Sequence, residues 1–541
     1  MAGRGVLIAA VLMLIAGSVT QRAQGTHDRA DRELFQTSDR CMACHNTLST
    51  SAGEDISFGF AWRPTMMANS ARDPYWQAGV RRESIDHPES QAAIEEECSK
   101  CHMPMANRQS RLQSREPEVF SHLDFASEKR IDRMAQDGVS CSLCHQIRPD
   151  NLGTRDSFVG GFVIDTTRPV GERQEFGPYE VEKGENRIMR SSSAGYQPTE
   201  GKHIEQSELC ATCHTLITTA LGPNGQKIGE LPEQMPYQEW FNSDFRDKQS
   251  CQSCHMPVVE EPVRMTNTLG KFREGVGRHV FLGGNFFMQR MLNRYRGELG
   301  VVALPAELEG AAARTVDHLQ SKTARVAVEK LEMSGSRLTA DISVENLGGH
   351  KFPTAYPSRR AWLHVKVLDR NNQTLFESGG LNADGSITGN DNDIDATRFE
   401  PHYAEVSQPD QVQIYEDIMV GQNGMPTTGL LTAVRFIKDN RLLPAGFQKS
   451  RVEQDIAPQG AAMTDDDFTG GGDRIHYAIP LTNTQGPLRV DVELWFQPIS
   501  YRWAANLRSY TAFEPQRFTR YYDAMSSGSA VLIDRASATL Q

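Results

Sequence analysis

One short pattern occurs five times in the first half of the chain: Cys41-Met-Ala-Cys44-His45, Cys98-Ser-Lys-Cys101-His102, Cys141-Ser-Leu-Cys144-His145, Cys210-Ala-Thr-Cys213-His214 and Cys251-Gln-Ser-Cys254-His255. The five copies contain all 10 cysteines of the 541 residues. A framework of disulfides would vary in spacing, and a zinc protein would not need histidine at the same offset each time. The pattern therefore indicates one chemical role, repeated five times.

The spacing fits the covalent attachment of one haem to each copy. Cysteines three residues apart lie on one side of a helical turn, where both thiols reach the vinyl groups of a single porphyrin. The histidine that follows then points at the iron. The sequence predicts five haems c, tethered by Cys41, Cys44, Cys98, Cys101, Cys141, Cys144, Cys210, Cys213, Cys251 and Cys254, with His45, His102, His145, His214 and His255 as proximal ligands.

The bulk composition is that of a soluble globular protein, with 38% hydrophobic and 23% charged residues. Its formal net charge is −12 at pH 7, and haem propionates would make the holoprotein more acidic. This charge argues against nucleic acid and against anionic lipid as partners. We expect redox proteins as partners instead, with peripheral association with membrane electron-transfer complexes as a further option.

Residues 1–25 have the pattern of a secretory signal peptide. Arg4 is followed by 11 apolar residues at 6–16, and small residues at 23–25 precede a cleavage site before Thr26. An apolar stretch of this length is too short to span a bilayer, although an uncleaved amphiphilic anchor stays open as an alternative. No later segment reaches transmembrane length. The sequence thus predicts an exported protein, located in the periplasm or at the cell surface.

The motifs divide the chain into two unlike parts. Their starts at 41, 98, 141, 210 and 251 are irregularly spaced, and so few residues per haem cannot enclose each cofactor in its own core. We expect a mainly helical and irregular multihaem cytochrome c domain at 26–305, closed by an apolar helix near 286–292. An all-β, sandwich-like domain is expected at 306–541, because apolar and polar residues alternate at 338–345, 363–367 and 488–496.

Further histidines are candidates for the sixth coordination position of each iron. Between the predicted signal peptide and residue 300 the chain has five outside the motifs: His27, His87, His122, His203 and His279. Their number matches the five irons and favours coordination by two histidines at most of them. His350, in a Gly-Gly turn of the second part, is another candidate, and Met66 or Met67 would supply a thioether.

Several segments around the motifs resemble exported multihaem cytochromes c, in the superfamily of hydroxylamine oxidoreductase and the pentahaem nitrite reductases. The segments are 137–140, 207–209, the Cys-His-Met-Pro runs that end at Pro104 and Pro257, and 278–285. Residues 349–354 with 359–363 resemble the β-domain often appended to such cytochromes. The resemblance implies electron transfer through closely stacked haems in the periplasm or at the cell surface.

The resemblance leaves two functions open. Nitrite reductases of this kind carry lysine in place of the motif histidine at the catalytic haem, whereas all five motifs here end in histidine. This difference favours an electron carrier that has no catalytic residues of its own. The alternative is a multihaem oxidoreductase that acts on a small nitrogen or sulfur compound at one haem with an open axial site.

Overall fold

The structure of the chain is a computed structural model that describes residues 33–481 and 486–541. The predicted signal peptide and His27 lie outside the described residues. Within the described part, no helix combines the length and the apolar character that crossing a membrane requires.

The first part of the chain is built of short helices and long connections. Its helices are α1 (Ser38–Met42), α2 (Phe58–Trp62), α3 (Pro74–Asp86), α4 (Gln91–His102), α5 (Pro104–Leu112), α6 (Arg130–Gln136), α7 (Cys141–Cys144), α8 (Lys183–Ser192), α9 (Ser207–Ala211), α10 (Pro236–Phe241), α11 (Cys251–His255), α12 (Phe286–Arg294) and α13 (Pro305–Lys322). Short strands interrupt them: β1 (Gln174–Gly177), β2 (Gln197–Glu200), β3 (Leu216–Leu221), β4 (Lys227–Gln234), β5 (Val263–Arg264) and β6 (Phe272–Arg273).

Each motif begins on a helical turn, as the spacing predicts. In three copies the backbone N–H of the histidine donates to the carbonyl of the first cysteine, at 3.1 Å for His45, 3.0 Å for His145 and 2.9 Å for His214. The histidines of the other two copies, His102 and His255, end α4 and α11. This i to i−4 bond closes one turn of helix, so that both cysteines and the histidine face the same region.

The second part consists mainly of antiparallel sheet. Its strands are β7 (Ala324–Ser334), β8 (Arg337–Asn346), β9 (Arg360–Leu368), β10 (Thr374–Ser378), β11 (Glu405–Val406), β12 (Ile414–Tyr415), β13 (Asp417–Gly421), β14 (Pro426–Thr427), β15 (Ala433–Asp439), β16 (Gly472–Pro480), β17 (Leu488–Gln497) and β18 (Val531–Leu540). One sheet has the order β10-β9-β17-β18, with β12 beside β9, and a second has the order β11-β16-β8-β7. A third contains β14-β13-β15. Helices α14 (Asp391–Ile394), α15 (Tyr501–Leu507) and α16 (Phe513–Asp523) complete this part.

The two larger sheets bury their alternating apolar residues in one core. Ile342 of β8, Val365 of β9 and Val492 of β17 are fully buried members of the same cluster. Their polar neighbours in sequence lie toward the other face, which is the pattern of a sheet buried on one side. The chain therefore combines a helical, irregular part with a part built of several sheets.

The core of the sheets extends into the helical part. Phe286, Phe287 and Leu292 of α12 are fully buried and belong to the same cluster as the strand residues, together with Leu308 and Leu319 of α13. The helix near 286–292 is present, but its apolar face packs into the core that the sheets share. The division at residue 305 stays a prediction, because the described residues form a continuous core on both sides of it.

A left-handed turn before the third motif joins two segments of the helical part. Gly138 has φ of +63°, and a Cβ atom on it would lie 2.5 Å from the carbonyl oxygen of Met67. The next residue, Val139, donates its N–H to that same oxygen at 3.0 Å. Only glycine combines this φ with so close a backbone approach.

We predict that Gly138→Ala lowers the free energy of unfolding by about 2–4 kcal/mol, because the side chain adds both backbone strain and a backbone clash. The matched control is Gly335→Ala. Gly335 has φ of +62°, but no atom lies within 4 Å of its added Cβ, so that strain alone costs about 1–2 kcal/mol. Chemical denaturation of the two purified variants checks this difference. Equal losses would contradict the role of the Met67 contact.

Candidate functional site

One connected cavity with a volume of ≈ 2370 Å³ runs through the helical part and reaches the sheets. All ten cysteines and all five motif histidines line it. This volume gives roughly 470 Å³ to each motif, within the range of about 300–1,000 Å³ for pockets that hold one small-molecule ligand or cofactor. The chain thus places its five repeated motifs around a single space rather than in five separate pockets.

The motif histidines are oriented to present one free ring nitrogen. The Nδ1–H group of His45 donates to the carbonyl of Met265 at 2.6 Å, and that of His145 donates to Phe176 at 2.6 Å. His102 and His255 make the corresponding bonds to the carbonyls of Ser70 and Leu282. A backbone acceptor at Nδ1 fixes the tautomer and leaves Nε2 as the metal-binding atom.

Burial keeps these rings neutral, which is the form that binds a metal. Desolvation lowers the pKa of both His102 and His255 to about 4. It also lowers the pKa of His45, His145 and His214. At neutral pH, the five rings therefore carry a lone pair and no charge.

His279 lies opposite a motif histidine inside the cavity. Its ring centroid is 6.4 Å from that of His145, with 16° between the ring planes. Two imidazoles bound to one metal from opposite sides, each nitrogen about 2 Å from it, have centroids about 6 Å apart. The Nδ1–H of His279 donates to the carbonyl of Gly277 at 3.1 Å, so that Nε2 is free.

His350 forms a similar pair with the fifth motif. Its ring centroid is 6.1 Å from that of His255, with 14° between the planes. The Nδ1–H of His350 donates to the carbonyl of Lys351 at 2.9 Å, and the residue lines the cavity. The sheet-rich part thus supplies a histidine to the space that the motifs surround.

A buried group of charges holds the segment that carries His350. Glu239 of α10, fully buried, accepts hydrogen bonds from Lys351 N at 3.2 Å and from Thr354 Oγ1 at 2.5 Å. Arg441 lies 3.2 Å from Glu239, and Lys351 Nζ lies 2.6 Å from Asp439. These contacts join the helical part to the sheets in the segment that directly follows His350.

Three predicted distal ligands lie outside the cavity lining. His203 Nε2 contacts the carbonyl of Ile147 at 2.9 Å. His122 Nδ1 contacts Asp132 at 2.6 Å, and His87 Nε2 lies 3.4 Å from Thr432 Oγ1. All three histidines are buried, and their assignment as distal ligands stays a prediction. The two methionines proposed as substitutes, Met66 and Met67, do line the cavity.

His318 is a cavity histidine that sequence analysis missed. It lies on α13, and its ring centroid is 6.3 Å from that of His255, with 46° between the planes. Arg314, His318 and Lys322 follow one another at intervals of four residues and all line the cavity. The four-residue spacing of Arg314, His318 and Lys322 could have revealed this cavity histidine from the sequence, because residues four apart share one face of a helix.

Cysteine thiols from different motifs lie next to one another. The Cys41 thiol lies within hydrogen-bonding reach of Cys141, Cys101 of Cys213, and Cys210 of Cys251. These contacts join the first motif to the third, the second to the fourth, and the fourth to the fifth. Cofactors tethered there would be neighbours.

Another group of ligand-type side chains lies among the sheets. His402 Nε2 is 3.2 Å from Asp465 and 4.0 Å from Asp473. The amide groups of Gln413 and Asn440 donate to His402 Nδ1 at 3.0 and 3.1 Å. Because Nδ1 acts as an acceptor, Nε2 keeps its proton and donates to Asp465. This arrangement is a hydrogen-bonded network rather than a metal site.

The chemistry of the cavity fits covalently attached haem. Each motif offers two thiols on a helical turn and a neutral imidazole with a free Nε2 or, for His214, a neutral ring lining the same space. Arg359 also lines the cavity and has no ion-pair partner among the residues described, so a cation is present for an anionic group such as a propionate. Burial lowers the pKa of Arg359 to about 10, which leaves it charged at neutral pH.

A penta-haem cytochrome c552 from Thermochromatium tepidum has a similar structure. The two chains share 14% sequence identity with a TM-score of 0.51, and the alignment covers 94% of this chain and 100% of the other. No family model matches this chain, and no curated protein does. At this identity the likeness shows a shared fold.

We predict that Glu239→Gln lowers the free energy of unfolding by about 3–5 kcal/mol at pH 5, because one carboxylate is removed from a buried ionic group. Asp417 lies 3.3 Å from Arg441 and can replace the lost charge when it ionises. Burial raises the pKa of Asp417 to about 7. In the wild type, Asp417 ionises at lower pH in the unfolded chain than in the folded one. The free energy of unfolding therefore falls as pH rises from about 4 to 7.

The loss of the Glu239 charge should lower the pKa of Asp417. The free energy of unfolding of the variant should therefore fall less than that of the wild type between about pH 4 and pH 7. The difference in the free energy of unfolding between Glu239→Gln and the wild type should therefore be smaller at pH 8 than at pH 5, as measured by chemical denaturation. Glu332→Gln is the matched control. Its carboxylate is 58% exposed and pairs with Lys330 on the surface, so its loss should change stability by under about 1 kcal/mol. A pH-independent difference for Glu239→Gln would contradict the compensation by Asp417.

Proposed function

We propose that the chain is an exported electron-transfer protein that carries five covalently attached haems c. The observation that carries this proposal is the single cavity lined by all ten cysteines and all five motif histidines. The similar fold of a penta-haem cytochrome c552 supports it. A haem supplies one-electron chemistry when it is bound, and the residues of the chain determine its position and its surroundings.

The contacts between motifs suggest a route for electrons. Neighbouring thiols join the first motif to the third and the fourth to the fifth. The Cys144 thiol of the third motif also lies near Cys213 of the fourth, because ionisation of Cys213 would raise the pKa of Cys144. We propose a path through motifs one, three, four and five, with the second motif beside the fourth.

Two of the irons have a second imidazole in this proposal. His279 serves the third motif and His350 the fifth, because both ring pairs have the separation expected across one metal. The Nδ1 contacts of the four rings leave each Nε2 free for this bond. The neutral rings exclude water from both faces and hold the metal without a change of protonation.

The fifth motif is the proposed point of exchange with partner proteins. Cys254 is exposed, whereas the other nine cysteines are partly buried. A cofactor tethered there would present an edge to solvent, and electron transfer falls steeply as two redox groups move apart. A periplasmic or cell-surface location follows from the predicted signal peptide, and partner redox proteins follow from the proposed activity.

One observation favours a second candidate, an oxidoreductase for a small nitrogen or sulfur compound. No second histidine ring lies at a comparable distance from His102 or His214 within the described ranges. Tyr75, Tyr356 and Arg359 line the same cavity, and the buried Tyr75 hydroxyl lies beside the hydroxyls of Tyr356 and Ser358. A substrate bound in this part of the cavity would lie near the Arg359 guanidinium and the phenol groups of Tyr75 and Tyr356.

The primary test counts the cofactors in protein exported by a host that attaches haem c. Intact mass should exceed that of the cleaved chain by five haems, and changing both cysteines of one motif to serine should remove one of them. Four or fewer haems in the wild type would overturn the proposal. Spectra recorded with hydroxylamine or nitrite should stay unchanged for an electron carrier, whereas a new low-spin species would favour the oxidoreductase.

We predict that His279→Ala keeps all five haems, because the thioether bonds do not depend on the distal ligand, and turns one of five irons high-spin. Resonance Raman spectroscopy measures the fraction, which should be about one fifth. The reduction potential of that haem should shift as well, since the axial ligands are a main determinant of haem potential. His87→Ala is the matched control, because His87 is buried outside the cavity lining. Unchanged low-spin spectra for His279→Ala would assign His279 to packing.

A further inference from the structure

Two further imidazole rings lie near the motif histidine of the fifth motif. The ring centroids of His350 and His318 lie 6.1 Å and 6.3 Å from that of His255. They come from different parts of the chain, since His350 follows β8 and His318 lies on α13. The distal position of one iron accepts only one nitrogen, so a single haem cannot bind both.

His350 has the features of the resident ligand. Its ring is within 14° of the plane of His255, and its Nδ1–H is held by the carbonyl of Lys351. The residues that flank it are fixed by Glu239 and Asp439. A ligand whose orientation is set by neighbouring hydrogen bonds binds with less loss of conformational entropy.

His318 has the features of a ligand held in reserve. Its ring is half-buried against the cavity and has no hydrogen-bond partner within the part of the chain described. Desolvation and the nearby His350 ring lower its pKa, so it is neutral at pH 7. Arg314 and Lys322, one turn before and one turn after it, face the same space and suit the propionates of the same haem.

We propose that His318 is a second axial ligand for the iron of the fifth motif, which binds when His350 withdraws. The proposal rests on the proposed function, because it requires a haem on Cys251 and Cys254 with His255 as proximal ligand. The exchange replaces one neutral imidazole by another, so that no proton and no electron is transferred. It would keep the iron six-coordinate and closed to small ligands if the turn that carries His350 moved away from the cavity.

Four variants of the holoprotein test this proposal: His350→Ala, His318→Ala, their combination, and His279→Ala as the control at a haem without a reserve imidazole. Both single changes at the fifth motif should leave the low-spin fraction of the wild type unchanged. The combination should raise the high-spin fraction by about one fifth of the total haem, as His279→Ala does. Electron paramagnetic resonance should also distinguish His350→Ala from the wild type, because the ring planes then meet at a larger angle.

The possible results separate this proposal from the one on which it rests. A high-spin iron in His350→Ala, with His318 intact, would overturn the reserve role while it supports His350 as ligand. If the combination keeps the low-spin fraction of the wild type, His350 is not the ligand and both assignments fail. Intact mass shows that five haems remain in each variant. Added imidazole should restore the low-spin spectrum of the combination, which shows that its pocket is folded.

Discussion

The repeated pair of cysteines on a helical turn is the constraint on which the rest of this structure depends. In the proposed haem protein each pair would fix one cofactor to its helical turn, so that the chain would need room for five large flat groups close to its own backbone. The segments between motifs are too short to build separate cores, and the helical part accordingly surrounds one cavity of ≈ 2370 Å³. Its apolar residues form small clusters around this space, whereas the extended core lies among the sheets.

The sheets are therefore not a separate module attached to the helical part, because the two parts share a core and a group of buried charges. Helices α12 and α13 share their core, and a buried group of charges ties Glu239 of the helical part to Lys351 and Arg441 of the sheets. Taking these charges out of water is costly, and the cost is offset only while all partners stay in place. The arrangement makes the position of His350 depend on the correct joining of both parts. In the proposed function it would couple the coordination of one iron to the packing of both parts.

Sequence analysis was strongest where chemistry demands one local geometry. The Cys-x-x-Cys-His spacing predicted helical turns, and all five copies line one cavity. Alternating residues at 338–345 predicted a strand with one buried face, which β8 has. Of the candidate distal ligands, His279 and His350 reach the cavity, whereas His87, His122 and His203 do not. A histidine carries no local signal for its direction, since that depends on contacts between residues far apart in the chain. The sequence analysis missed His318 because it considered only the histidines before residue 300 and, in the second part, only His350.

The long separation between His255 and His350 bears on how the protein matures. The fifth motif stands 95 residues before the imidazole that faces His255. If the chain is exported from its N-terminal end, as proposed, both cysteines and His255 would emerge before the strands that follow His350. In that order, the folding of the sheets would bring the second imidazole to a motif that is already formed.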